Sequence, residues 1–176
     1  MNYKLDNQTA LPDAASDQQI IRDQFSRPLH DLRISVIDRC NFRCKYCMPE
    51  EHEAGPYKFL KESEWLTFPE IERLTRLFVR LGVTKVRLTG GEPLLRPNLP
   101  ILIRALRNIP GITDLALTTN GLLIDEAAAR ALRSRRMQWL NISLDGATPE
   151  TNDAVRGAGV FARVLDKLAL LRAQDV

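Results

Sequence analysis

Hydrophobic and polar positions alternate between two periods along this chain, and that alternation predicts four strands that are each followed by a helix. The strand segments are short apolar or alternating runs, whereas the helical segments carry apolar residues three and four positions apart. Strands are expected at 32–37, 83–88, 112–118 and 138–144, and helices at 68–81, 98–108, 125–135 and 160–173. Consecutive βα units of this kind predict a parallel sheet with right-handed crossovers, so the expected fold class is α/β.

Local signals mark where the predicted helices begin and which faces they bury. The run Thr67-Phe68-Pro69-Glu70 is typical of a capping box, and Gly82 is a favoured residue just after a helix. The residues Thr148-Pro149 predict a polar turn ahead of the last helix. The expected apolar stripes are Leu74, Leu77, Phe78 and Leu81 in the first helix, Leu99, Leu102, Ile103 and Leu106 in the second, and Val164, Leu165, Leu168 and Leu171 in the fourth.

Composition is ordinary for one globular domain. The 176 residues are 44% hydrophobic and 27% charged, and the net charge of +3 is too small to indicate nucleic acid, although it suits an anionic substrate. No apolar run approaches the length of a membrane span, and no secretory apolar segment is visible, so we expect no membrane partner. Residues 1–27 are expected to be a polar tail, and residues 28–176 a core domain.

The three cysteines of the chain lie in one loop after the first predicted strand. Cys40, Cys44 and Cys47 follow the pattern C-x3-C-x2-C and have no partners elsewhere. Clustered thiols without partners do not suit a disulfide framework, and they favour a reducing, cytoplasmic setting. Three thiolates can hold three corners of a cubic iron–sulfur cluster, and the fourth iron is then left open for chemistry.

Two other interpretations of the cysteines stay open at this point. A structural zinc site would need a fourth ligand such as His52, or the residues are three ordinary thiols. The neighbouring cations Arg39, Arg43 and Lys45 are expected to favour the thiolate forms.

Polar motifs follow the other predicted strands. Gly90-Gly91-Glu92-Pro93 follows the second strand, Thr119-Asn120-Gly121 the third, and Asp145-Gly146 the fourth. Because loops after parallel strands gather at one rim of the sheet, these motifs and the cysteine loop are expected to meet. Glu92 is positioned to accept a hydrogen bond from an ammonium group, although a plain turn is the alternative. Strand capping and turn formation are the alternatives for Thr118, Asn120, Ser143 and Asp145.

Two arginines lie within predicted strands, where an unpaired charge is costly. An anion such as phosphate would suit Arg33 and Arg87, because a guanidinium group offers it paired donors. Salt bridges with Asp31 or Asp38 are the alternative.

The cysteine motif, with Tyr46 before its last cysteine and Gly90-Gly91-Glu92-Pro93 after it, resembles the radical S-adenosylmethionine (SAM) enzymes. Within that superfamily, residues 27–145 are similar to the GTP 3′,8-cyclase family of molybdenum cofactor biosynthesis. The stretches that carry this similarity are Asp38-Arg39-Cys40-Asn41-Phe42-Arg43-Cys44, Arg87-Leu88-Thr89-Gly90-Gly91-Glu92-Pro93 and Leu117-Thr118-Thr119-Asn120-Gly121.

The resemblance implies part of a parallel (β/α) barrel of the radical SAM type, with about four of its six βα units. It implies that Cys40, Cys44 and Cys47 ligate a [4Fe-4S] cluster whose open iron is chelated by SAM. Cleavage of SAM would give a 5′-deoxyadenosyl radical that takes the 3′ hydrogen of GTP. The ribose carbon would then attack C8 of guanine, giving (8S)-3′,8-cyclo-7,8-dihydroguanosine 5′-triphosphate.

The same resemblance implies roles for further residues. Tyr46, Gly91, Glu92 and Ser143 correspond to contacts with SAM, and Arg33, Arg87 and Thr118 correspond to contacts with GTP. A flavodoxin or ferredoxin is the implied electron donor, and a homodimer is an expected assembly.

Two departures from that family leave alternatives. The C-terminal cysteine cluster and the terminal Gly-Gly of the family are not in this sequence, so residues 28–176 are expected to be a core domain without its C-terminal part. Residues 141–151, with Arg156-Gly157, are more similar to peptide-modifying radical enzymes. The alternatives are therefore a radical SAM enzyme that acts on a peptide, or a truncated chain that binds metal without catalysis.

Overall fold

A computed structural model of the chain describes residues 20–48, 57–134 and 137–176. Within these residues, the four predicted strands and four predicted helices follow one another in the expected order, with one additional α-helix after the fourth strand. The strands are β1 (Asp31–Ser35), β2 (Lys85–Thr89), β3 (Asp114–Thr119) and β4 (Trp139–Ile142). The α-helices are α1 (Phe68–Arg80), α2 (Leu99–Arg107), α3 (Glu126–Ser134), α4 (Pro149–Arg156) and α5 (Val160–Ala173). Single turns of 3-10 helix span Glu62–Glu64 and Pro93–Leu95.

The four strands form one parallel sheet in the order β1-β2-β3-β4, so each strand pairs with the next strand along the chain. This arrangement confirms the α/β class and the partial parallel barrel. Because side chains alternate along a strand, one face of the sheet is apolar and packs against helices, whereas the other face is open. Val86, Leu88, Leu115 and Leu117 on the helix-covered face are fully buried.

The helix α1 begins as expected but buries a different stripe. The Thr67 hydroxyl accepts the Glu70 amide, and the Glu70 carboxylate accepts the Thr67 amide at 2.7 Å, which completes the capping box. The buried residues are Ile71, Thr75 and Val79. Leu74 and Leu77 are 41% and 38% exposed, so the expectation that they form the buried stripe is wrong. The pattern was misjudged because Thr75 is polar, yet its hydroxyl donates to the Ile71 carbonyl at 2.7 Å and can therefore be buried.

The stripes of the later helices are confirmed in α2 and only partly in α5. All four residues expected to be buried in α2 are buried, and they are Leu99, Leu102, Ile103 and Leu106. In α5, Val164 and Leu171 are buried, but Leu165 is 44% exposed.

The segment after β4 differs from its prediction. Thr148 caps a two-turn helix, α4, where a polar turn was expected. The Thr148 hydroxyl accepts the Thr151 amide at 3.4 Å, which is the geometry of a capping box. The prediction of a turn was wrong because threonine followed by proline is also typical of a helix start, where proline is favoured in the first turn.

The first described residues pair with the sheet domain. The Ile21 amide donates to the Leu81 carbonyl at 3.3 Å, and the Leu29 amide donates to the Ile21 carbonyl at 2.8 Å. A boundary at residue 28 stays a prediction. No helix among the described residues is long and apolar enough to cross a membrane.

Candidate functional site

The cysteine loop begins just after β1 and is held to the rest of the domain by Phe42. Phe42 packs against a small apolar cluster formed by Leu122 of the loop after β3 and by Val160 and Val164 of α5. The loop turns at its second cysteine, because the amides of Cys47 and Met48 both donate to the Cys44 carbonyl at 3.0 Å. Cys44 is therefore buried while Cys47 is exposed.

Burial sets the protonation of the two inner thiols. Desolvation raises the pKa of Cys40 and of Cys44 above the ordinary value of a thiol, since a thiolate loses its hydration in the loop. The expected effect of neighbouring cations is present for Arg43 at Cys40, but desolvation outweighs it. The guanidinium group that lowers the pKa of Cys44 most belongs to Arg156, which is distant in sequence.

The neighbouring cations are engaged elsewhere. Arg39 donates to the Leu60 carbonyl at 3.3 Å and its guanidinium lies 5.6 Å from the centre of the Trp65 ring. Arg43 donates to the carbonyl groups of Cys40 and Phe42, both at 2.9 Å. Arg43 does lower the pKa of Cys40, but less than burial raises it.

The three thiols are free and lie close together. Cys40 and Cys47 each raise the pKa of Cys44 by charge repulsion, which requires proximity. Within the described residues, no three or more His, Cys, Asp or Glu side chains are grouped to hold a metal ion. A cubic cluster differs from a single ion, because each cysteine sulfur binds a separate iron. His52, the suggested fourth zinc ligand, lies outside the described residues.

The two glycines after β2 bring that strand against the cysteine loop. The Gly91 amide donates to the Ile37 carbonyl at 2.7 Å, and the Glu92 amide donates to the Arg39 carbonyl at 2.8 Å. A Cβ atom on Gly91 would lie 2.2 Å from the Arg39 carbonyl oxygen, and one on Gly90 would lie 2.5 Å from that of Ile37. Both positions thus exclude side chains because two backbone segments touch there.

Glu92 is buried, and its carboxylate is already hydrogen-bonded by protein groups. Its Oε1 accepts the Leu94 amide at 3.0 Å and the Thr119 hydroxyl at 2.6 Å, and its Oε2 accepts the Asn120 amide at 2.8 Å. Only 1% of the residue is exposed. Glu92 therefore fastens the loop after β2 to the end of β3, and its expected contact with SAM stays a prediction.

Asn120 extends this connection to the cysteine loop. Its side-chain amide donates to Asn41 Oδ1 at 2.7 Å and lies 4.0 Å from the Cys40 sulfur. The Oδ1 of Asn120 accepts the Leu122 amide at 3.1 Å, which is the turn-forming role given above as the alternative for this residue. The same side chain thus joins two loops of the rim.

A second connection reaches the cysteine loop from α4. The Arg156 guanidinium pairs with Asp145 at 2.5 Å and donates to the Tyr46 hydroxyl at 3.1 Å. The Tyr46 hydroxyl donates to Asp145 at 3.1 Å. Desolvation is the main reason that the pKa of Tyr46 lies above its ordinary value, and the bond to Asp145 acts in the same direction.

The remaining rim residues lie at the ends of adjacent strands. The Ser143 amide, one residue after β4, donates to the Thr119 carbonyl at 2.9 Å, and the side chain of Ser143 is partly exposed. Thr118 of β3 is paired in register with Asn141 of β4. Loops after β1, β2, β3 and β4 therefore meet at one rim, as the sequence predicts.

Arg33 and Arg87 occupy neighbouring positions on the open face of the sheet. They are paired in register across β1 and β2, and both are exposed. Among the described residues neither forms an ion pair with Asp31 or Asp38. The carboxylate of Asp31 instead lies 3.9 Å from Lys85 Nζ, through Oδ1, and 2.9 Å from His30 Nδ1, through Oδ2. Like charges in directly opposed positions repel, so this pair is a place where an anion would be stabilised.

Sequence reasoning noted Arg156 only for its similarity to peptide-modifying radical enzymes, and it underestimated Thr119 and Asn120. The contact between Arg156 and Tyr46 joins residues 110 positions apart, so no local pattern signals it. The signal for Asn120 was its position in the rim motif, which also fits a plain turn.

Fold and site together define a parallel α/β domain with three free cysteines at the carboxyl rim of its sheet and a cationic open face. The chain belongs to the Radical SAM superfamily, whose sequence profile matches residues 34–176. Enzymes of this superfamily use a [4Fe-4S] cluster and SAM.

The curated relatives described next are both named GTP 3′,8-cyclase. The chain is 54% identical over 133 residues to the GTP 3′,8-cyclase of Acidothermus cellulolyticus and 50% identical over 148 residues to that of Staphylococcus epidermidis. These alignments cover 76% and 84% of the chain but only 36% and 43% of the relatives. The chain thus spans less than half the length of these relatives.

Solved structures share the fold at low sequence identity. Methylornithine synthase (PylB) matches with a TM-score of 0.63 and 16% identity, over 89% of this chain and 43% of that protein. Streptococcus suis SuiB bound to S-adenosylmethionine matches with a TM-score of 0.64 and 19% identity, over 84% and 33%. Native anSMEcpe with bound AdoMet matches with a TM-score of 0.60 and 23% identity, over 83% and 41%.

Proposed function

We propose that this chain is the cluster-binding and SAM-binding part of a GTP 3′,8-cyclase, a lyase of molybdenum cofactor biosynthesis. The observation that carries the proposal is the meeting of three free thiols and the double-glycine loop at the rim, above two arginines that form no ion pair with another described residue. Sequence identity of about half to proteins named GTP 3′,8-cyclase supports the choice of substrate.

The cysteine loop fits an iron–sulfur cluster by its donor set. Cys40, Cys44 and Cys47 are soft donors that are free of disulfides and close enough to repel as thiolates. When bound, the cluster supplies an electron that cleaves SAM to methionine and a 5′-deoxyadenosyl radical. Loading the cluster requires that the thiols release protons, because iron binds thiolates, and the raised pKa of Cys40 and Cys44 makes that release harder.

Protein groups of several kinds at the rim are available to bind SAM. The amide of Gly91 is used by Ile37, so its carbonyl oxygen is the group that is left for an ammonium donor. Ser143 and Tyr46 flank the loop on the side of β4 and would contact the nucleoside part. Glu92 would act on SAM mainly by holding the loop after β2, since three protein donors already bind its carboxylate.

The open face of the sheet suits a triphosphate. Arg33 and Arg87 present two guanidinium groups side by side without an acidic partner on the described strands. Phosphate oxygens accept paired hydrogen bonds from such groups. Thr118 lies one strand further along the same face and would add a hydroxyl contact to the nucleotide. A flavodoxin or ferredoxin would deliver the electron.

The test is anaerobic iron–sulfur reconstitution, followed by electron paramagnetic resonance of the reduced protein with and without SAM. We expect a cluster signal that changes when SAM is added, and release of 5′-deoxyadenosine with dithionite as reductant. Cys44→Ala should lose the cluster, whereas Cys44→Ser should keep a weakened one. A wild-type chain that binds zinc but no iron would contradict the proposal.

Substrate choice needs a separate measurement. Saturation with GTP should alter the signal of the SAM-bound cluster, and ATP at the same concentration should not. Equal responses to both nucleotides, or none to either, would count against a GTP 3′,8-cyclase.

A further inference from the structure

We propose that Arg156 is a positioning residue, and that it fixes the segment between the second and third cluster cysteines by joining Tyr46 to Asp145. This inference rests on the proposed function, because it assigns the segment a role in keeping the cluster. It concerns contacts among these three residues that no sequence motif indicates.

Three side chains from separate parts of the chain close a triangle of polar contacts. Arg156 Nε lies 2.5 Å from Asp145 Oδ2 as an ion pair without hydrogen-bond geometry. Arg156 also donates to the Tyr46 hydroxyl at 3.1 Å, and that hydroxyl donates to Asp145 at 3.1 Å. The Arg156 side chain is only 6% exposed. Burial of the guanidinium limits the directions in which it can turn, although Tyr46 is 65% exposed and water reaches its side of the triangle.

The last turn of α4 contacts both residues that lie between Cys44 and Cys47. Arg156 holds Tyr46 through its hydroxyl, and the Val155 carbonyl accepts the Lys45 amide at 3.4 Å. The position of Cys47 relative to the buried Cys44 therefore depends on α4 as well as on the turn of the loop itself.

Asp145, the other end of the triangle, is rigidly held. Its backbone amide donates to the Oδ1 of Asn152 at 3.0 Å, and Asn152 is fully buried in α4. The following residue, Gly146, packs so tightly that a Cβ atom there would lie 2.2 Å from the Thr151 hydroxyl oxygen. Because Asp145 follows β4, the triangle ties the cysteine loop to the carboxyl edge of the sheet.

Loss of the triangle should release the loop without unfolding the domain. The apolar cores are formed by other residues, and α4 keeps its own cap at Thr148. Cys47 is exposed, so a loosened loop would present one thiolate ligand of the cluster to solvent and chelators.

The first experiment measures the apo chain, so that it does not depend on cluster assembly. Hydrogen–deuterium exchange of the peptide that contains residues 44–48 is compared between wild type, Arg156→Ala and Tyr46→Phe. We expect exchange to be about tenfold faster in Arg156→Ala, which corresponds to about 1.4 kcal/mol of lost loop stabilisation. Tyr46→Phe keeps the Arg156 charge beside Cys44 and should show a smaller effect in the same direction.

Two further variants separate geometry from charge. Arg156→Lys keeps the charge, but a lysine offers no planar pair of donors, so it should restore only part of the protection. Arg172→Ala removes an exposed arginine from the last turn of α5 and should leave exchange at 44–48 unchanged. Equal exchange in wild type and Arg156→Ala would overturn the proposal, and so would full protection in Arg156→Lys.

The second experiment uses the reconstituted chain. Cluster loss under a fixed excess of chelator should be several-fold faster in Arg156→Ala, while the thermal midpoint of the apo chain stays within a few degrees of wild type. Faster exchange with unchanged cluster loss would overturn the role of the triangle in keeping the cluster. A wild-type chain that assembles no cluster contradicts the proposed function, and the exchange data then decide alone whether Arg156 holds the loop.

Discussion

The buried carboxylate of Glu92 accepts the backbone amide of Asn120 at 2.8 Å, although the two residues lie 28 positions apart. That contact, together with those from Thr119 and Leu94, joins the loops that follow β2 and β3. A residue that looks in sequence like a ligand contact thus holds the rim together.

Glu92→Gln should destabilise the apo chain by roughly 1–3 kcal/mol. The substitution replaces one acceptor oxygen with an NH2 group, and that group would face an N–H donor in a site without water. Urea unfolding of the apo chain measures the effect. Glu126→Gln is the matched control, because the Glu126 side chain is 64% exposed in a surface pair and should change stability little.

Gly91→Ala should cost at least about 3 kcal/mol or prevent folding, because the added methyl group would meet backbone rather than a movable side chain. The nearest atom would be the Arg39 carbonyl oxygen, at 2.2 Å. Circular dichroism and thermal unfolding of the apo chain report the loss.

Gly159→Ala is the control for backbone strain alone. Gly159 has a φ of +73° but no atom within 4 Å of an added Cβ. It should therefore cost only about 1 kcal/mol. Similar losses in the two variants would show that the close approach of the Arg39 carbonyl adds little to the cost of a side chain at Gly91, which has no positive φ of its own.

Arg87→Ala should weaken GTP binding to the reconstituted chain by roughly 10- to 100-fold, the range expected for loss of charge-assisted hydrogen bonds. The same variant should be as stable as wild type or slightly more stable, because it removes the repulsion between Arg33 and Arg87. Calorimetric titration and urea unfolding measure the two effects. Arg104→Ala, on the exposed side of α2, should change neither, and an unaltered GTP affinity in Arg87→Ala would argue against the triphosphate site.

Asp153 should contribute to a loss of stability in acid. Its carboxylate accepts the amides of Gly159 and Phe161 at 2.7 and 2.8 Å, at the start of α5. Desolvation by itself raises the pKa of Asp153. The two backbone hydrogen bonds and a third from the Asn152 side chain together outweigh it, so the pKa lies below its model-peptide value of 3.8. A lowered pKa in the folded state means that the stabilisation is present above pH 3.8 and is lost as the pH falls through the folded value.

Asp153→Asn tests this contribution. The free energy of unfolding should decline less steeply for the variant than for wild type between about pH 5 and about pH 2. Urea unfolding across that range measures both slopes. Parallel slopes would mean that the carboxylate has the same pKa in both states.

Much of the fold followed from sequence because the evidence for it is local. The predicted buried stripe of α2 was correct, since its members are all apolar and repeat at helical spacing: Leu99, Leu102, Ile103 and Leu106. The stripe of α1 was wrong because a threonine satisfied by its own helix occupies a core position. The helix α4 was missed because a proline after threonine fits a turn as well as a helix start.

The candidate site likewise has features that local sequence predicts and features that depend on packing. The cysteines, the double glycine and the strand arginines were visible because residue type and spacing carry their chemistry. The direction of the pKa shifts of Cys40 and Cys44 could not be predicted, since it depends on how deeply the folded chain buries each thiol.

The sequence by itself determined the βα order, the set of thiol donors and their position after the first strand. Periodicity and donor type are properties of the covalent chain, so no packing is needed to recognise them. Only the tertiary structure decided that Glu92 is buried among protein donors and that Arg156 reaches Tyr46. Desolvation and hydrogen bonds between distant segments exist only once those segments are packed together, and the free energy of such contacts depends on distances that spacing along the chain does not set.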